Sequence, residues 1–192
     1  MSHWINVLPL LLIFIGCLTF LSVSKPKLVL FSIGMIYLGV FIITVQFTST
    51  WSTLIRLVAG LATLLMIFVS LSDKKITFPR YPRSGLLFRL LGYLLFSLIA
   101  VLVSVKAANF LNFPIDVILA GLLVVFCGIL ELGISGFPLK VILGILVLYC
   151  GFSTIYCSLE TSLLVNGLLS AINLVLGVVG SYFVIREVQV TE

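Results

Sequence analysis

"SKPKLVLFSIGMIYLGVF", residues 24–41, and "GFPLKVILGILVLYCGF", residues 136–152, follow one design 112 residues apart. Each begins with a short turn holding a proline with a lysine within two residues of it, then runs apolar through a tyrosine and a glycine. Pro26, Tyr37 and Gly39 recur as Pro138, Tyr149 and Gly151. Proline has no amide proton to donate and its fixed φ fits the first helical turn, so each stretch reads as a hinge opening into a helix. What surrounds such a helix decides the fold.

The whole chain answers that question. Of its 192 residues 62% are hydrophobic and only 9% charged, with mean hydropathy +1.38. Ordinary soluble domains are about half apolar and a quarter charged, so lipid is the expected solvent for most of this polypeptide. The net charge of +5 is split into short clusters between apolar runs. Nucleic-acid binding needs a contiguous basic face, so no nucleic acid is expected as a partner. Cys17, Cys127, Cys150 and Cys157 fall in or beside apolar runs with no CxxC or Cys/His spacing, and the only histidine is His3. They read as small buried hydrophobes, and neither metal nor cofactor is expected. The first apolar run lacks a basic leader and a small-x-small cleavage site, so it reads as a retained span.

A helix needs about 20 residues to cross a hydrocarbon core of about 30 Å. Seven runs meet that length: 5–24, 28–46, 52–72, 86–105, 116–135, 138–158 and 162–185. None alternates with period two, so the chain is expected to be an all-α integral membrane protein, one polytopic domain over 1–192. Nine basic residues (Lys25, Lys27, Lys74, Lys75, Arg80, Arg83, Arg89, Lys140, Arg186) fall on one side of a seven-span arrangement, and Arg56 and Lys106 on the other. The positive-inside rule then sets the N-terminus outside and the C-terminus in the cytoplasm, with Trp4 and Trp51 at the outer interface. A cell (inner) membrane is the expected location.

The shift of 112 aligns Gly16, Leu18, Pro26, Val29, Ile33, Tyr37, Gly39 and Ile43 with identical residues, eight over 28 positions. A third pair of segments, "LVAGL" (57–61) and "LVNGL" (164–168), matches only after a five-residue shift of register, at an offset of 107. Two three-helix repeats are expected, one over residues 5–72 and one over 116–185, joined by the loop and span four at 73–106. Both would run the same way across the membrane, related by an axis along its normal. Convergence on a shared proline-turn design is the alternative.

Ionisable and amide groups inside a bilayer are the candidate functional residues. Glu131, four residues from the end of span five, reaches the interface or meets Lys140 across the turn; structural pairing is the expected role and proton handling the alternative. Asn166, Ser170, Asn173 and Gly177 make one stripe of span seven, expected to pack against another helix. Arg56, Asp116 and Glu160 begin spans on the same side, and an ion pair among them is expected there. Lys74, Lys75, Arg80, Arg83 and Arg89 form a basic loop suited to anionic lipid headgroups, or to an acidic partner. No nucleophile–base set or phosphate loop is visible, so no enzyme activity is expected.

The three-helix unit with its basic hinge resembles chain K of the NADH-quinone oxidoreductase family and the larger hydrogenase-4 component E. The stretches that match the family's basic turn and apolar "L-x-G-L-E" helix are "VLFSIGMI" (29–36) and "KVILGILV" (140–147). The family's membrane carboxylate falls near Ile36 and Leu146, and a second near Asn173, so its proton-carrying residues are missing here. The resemblance implies a non-catalytic accessory subunit packed beside other integral membrane subunits. The other expectation, drawn from the residues, is a small transporter or channel with a cleft between the repeats near Tyr37, Tyr149 and Asn173.

Overall fold

The computed structural model describes residues 3–72, 83–160 and 162–191. They form seven α-helices: α1 His3–Ser22, α2 Pro26–Thr44, α3 Thr50–Ser72, α4 Arg83–Leu111, α5 Ile115–Ile134, α6 Pro138–Leu159 and α7 Leu163–Thr191. The described residues include no strand. Six helices, α2 to α7, are long and apolar enough to cross a bilayer. The apolar part of α1, Val7–Ser22, is shorter. This is the build of a multi-pass membrane protein, and the lengths follow from the apolar runs. The expected seventh crossing is the exception: part of α1 falls on residues whose side chains lie outside the described set.

Both proline hinges take the form their residues dictate. Lys25 and Phe137 are extended, and Pro26 and Pro138 occupy the first turns of α2 and α6. Extended backbone before proline relieves the clash with its ring. Asn112, which turns the chain from α4 into α5, has φ 51°, a left-handed conformation asparagine tolerates. The turn between α2 and α3 is capped by its own hydroxyls. Thr48 donates to the Thr44 carbonyl at 2.8 Å, Thr48 and Thr53 share a proton at 2.9 Å, and Ser49 and Ser52 at 2.8 Å.

The closest helix pairs are α1 with α2, α5 with α6, and α3 with α7. Glycine permits each approach. A Cβ at Gly16 would meet Ile36 at 2.9 Å, and one at Gly39 would meet Ile13 at 2.6 Å and the Pro9 carbonyl at 3.1 Å. In the second hairpin, a Cβ at Gly128 would meet Leu148 at 2.6 Å, and one at Gly151 the backbone of Val125 and Gly121 at 2.6 and 2.7 Å. Gly177 of α7 lies on Thr63 of α3 and Gly180 on Ile67, so these two helices run parallel. Helix α1 also touches α5, and α2 touches α5 and α6. The interior is a single apolar cluster reaching from Ile13 on α1 to Val184 on α7. Among the described residues, helix α4 packs on α5 and α1 alone and leaves most of its surface outward.

Candidate functional site

Two polar places interrupt this core, one toward each end of the bundle. Near the proline hinges, Glu131 in the last turns of α5 is fully buried. Arg89 of α4 donates from Nη1 to its Oε2 at 2.7 Å, and Lys140 Nζ of α6 stands 3.6 Å from its Oε1. Lys140 also donates to the Val23 carbonyl in the α1–α2 hinge at 3.2 Å. All three charged side chains are sealed from solvent. Two cations around one carboxylate thus join α4, α5, α6 and the first hinge. A buried charge is tolerated only when paired, and here the pairing links three helices and a hinge in one clamp-like cluster.

Glu131 meets Lys140 across the turn, one of the two placements expected for it. Arg89 departs from expectation: it does not belong with the headgroup-facing loop but is 1% exposed and spent on Glu131. The reason is its place seven residues into α4, a turn and more inside the helix. Lys74, Lys75 and Arg80 lie outside the described residues, as does the side chain of Arg83.

The second place is a cleft where α2, α3, α6 and α7 meet, lined by Tyr37, Thr44, Thr53, Arg56, Tyr149, Ser153, Ser170 and Asn173 among apolar neighbours. Tyr37 donates its phenol proton to the Asn173 carboxamide oxygen at 3.1 Å. A Cβ at Gly60 would fall 2.5 Å from the Tyr37 ring, so the missing side chain there makes room for the phenol. Thr63 donates to the Asn173 backbone carbonyl at 3.1 Å. Tyr149 donates to the Leu169 carbonyl at 2.8 Å. Arg56 donates from Nη2 to the Ser153 and Thr154 hydroxyls, both at 3.2 Å. Those hydroxyls donate in turn to the Cys150 carbonyl, leaving lone pairs for the guanidinium. The cleft has room for about one water.

Tyr37, Tyr149 and Asn173, the trio expected around a cleft, therefore line one. The α7 stripe divides. Asn173 and Gly177 contact α2 and α3, whereas Ser170 donates to the Asn166 carbonyl and Asn166 to the Ser162 carbonyl, both within α7's own turns. Arg56 is the second departure: its hydrogen bonds go to hydroxyls of α6 in place of an ion pair with Asp116 or Glu160. No carboxylate lines the cleft among the described residues. The "ST" at 153–154, inside an apolar helix and facing an arginine 97 residues away, was the signal that sequence reasoning passed over.

Comparison with known proteins leaves the fold to speak for itself. No family model, curated protein or solved structure matches this chain. The described residues also hold no group of three side chains able to take a metal ion.

Proposed function

We propose that the chain is a non-enzymatic protein of the cell (inner) membrane, crossing it seven times, that binds and passes a small solute at the cleft between two three-helix units. One unit is α1–α3 and the other α5–α7, with α4 as the connector. The observation that carries this reading is the cleft itself, where Tyr37 and Arg56 of the first unit bond to Asn173, Ser153 and Thr154 of the second. A polar cleft between repeated bundles in a membrane is a common setting for solute binding and alternating access.

The duplication is supported by packing as well as by identities. Adding 112 to the bounds of α1, 3 and 22, gives those of α5, 115 and 134, and adding it to Pro26 gives Pro138. The same shift turns the Gly16–Ile36 contact into Gly128–Leu148, and Gly39 against Ile13 and Pro9 into Gly151 against Val125 and Gly121. Convergent hairpins have no reason to reproduce contacts in register. The odd number of crossings and the basic residues near the hinges support a cytoplasmic C-terminus.

Reconstitution into lipid vesicles tests the function. Stopped-flow light scattering after an osmotic jump should show faster entry of at least one small solute than in protein-free vesicles, and Asn173→Leu should remove the gain. Equal permeability for every solute tried would defeat the reading. The accessory-subunit reading rests on a different observation: α4 spans 29 residues yet packs on two neighbours, exposing Leu87, Leu91, Leu94 and Leu98 along one face. The resemblance to chain K supports it too. Purification in mild detergent as a stable monomer without a companion would remove it.

A further inference from the structure

Arg56 sets the chemistry of the cleft. It is a permanent cation brought among apolar side chains, and the hydroxyls it meets offer dipoles but no countercharge. Glu131, the one deeply buried carboxylate among the described residues, sits with Arg89 and Lys140 in the other polar cluster. Arg56 is half-buried, and the apolar walls around it lower the local dielectric, which strengthens its pull on an anion that enters the cleft.

The free hydrogen-bonding capacity of the lining points the same way. Both bonds of Arg56 leave from Nη2, so Nε and Nη1 bond to nothing among the described residues. Asn173 uses its carboxamide oxygen for Tyr37 and its backbone carbonyl for Thr63, leaving the Nδ2 amide protons. The hydroxyls of Thr44, Ser153, Ser170 and Tyr149 all donate to backbone carbonyls already. What remains to a guest is a set of N–H donors and one positive charge. Room for about one water suits a small anion.

We propose that this cleft binds a small monovalent anion of halide size, held by Arg56 and Asn173. The proposal rests on the cleft being a solute site and names the class of its solute. The test uses the whole chain in nanodiscs of phosphatidylcholine, with thermal unfolding followed in sodium gluconate, chloride, bromide or phosphate at constant ionic strength. Chloride and bromide should raise Tm saturably, by roughly 2–4 °C, while gluconate does not. Arg56→Gln should abolish the response. If that variant does not fold, Asn173→Asp serves: it keeps an acceptor for Tyr37 and places a fixed carboxylate in the cleft. It should unfold no lower than the unaltered chain in gluconate and show no chloride response.

A chloride response that survives both substitutions, or the absence of any halide response, overturns the proposal. So does a stabilisation that requires Arg56 but follows phosphatidylglycerol content or phosphate, which would assign the guanidinium to phosphate oxygens of a lipid or a free ion. Solute entry that depends on Asn173 yet is blind to halide would overturn the anion assignment while leaving the transport reading standing.

Discussion

Glu131 faces two cations from which water is excluded, and its contribution depends on whether its partners stay. Glu131→Gln leaves Arg89 and Lys140 buried around a neutral amide. Breaking a buried pair from one side costs about 3–5 kcal/mol, so this variant should unfold at markedly lower denaturant in mixed micelles. Replacing Arg89, Glu131 and Lys140 together by methionine removes the charges and their desolvation at once, and should come out near neutral or stabilising by the same assay. Tyr37→Phe is a gentler case: loss of the Asn173 bond should cost about 0.6–2 kcal/mol, read from the same unfolding curves. Residue roles were legible only where the partners were close in sequence. Glu131 and Lys140 flank one short turn, so their meeting could be read directly. Arg89 and Arg56 find partners 42 and 98 residues away, and no local pattern carries that distance.

At the scale of elements, the glycines decide how near two helices come. At Gly151 an added Cβ would lie 2.6 Å from the Val125 nitrogen and 2.7 Å from the Gly121 oxygen, backbone atoms that can yield only if α5 and α6 separate. Gly151→Ala should therefore destabilise by about 1–3 kcal/mol or more. Gly133, on the same hairpin, has nothing within 4 Å of its Cβ position. Gly133→Ala should be neutral or stabilising by up to about 1 kcal/mol from helix propensity alone. Thermal unfolding of the pair separates packing from propensity, and similar losses at both positions would contradict the close approach. The elements themselves were plain in the sequence, because apolar runs of membrane length and proline hinges leave few choices. The ends of α4 and α7 were less so: both helices extend past the apolar segment through residues such as Lys106, Asn109 and Arg186, where composition no longer marks the boundary.

For the whole molecule, the two like-oriented units we propose would account for the glycine contacts that recur in register and for α3 and α7 running side by side in the same direction. They also place the clamp around Glu131 near the proline hinges and the cleft toward the turn between α2 and α3. The pattern of basic residues carried the expected sense of the chain, whereas the cleft needed four helices brought together before it could exist. Impermeant maleimide labelling of Lys25→Cys and Gly136→Cys, made singly, tests the arrangement most directly. The four native thiols are buried and leave a low background, which the unaltered chain measures. Both positions should stay unlabelled in intact cells and react once the membrane is opened. Labelling of one from outside and the other only from the cytoplasm would contradict two parallel units.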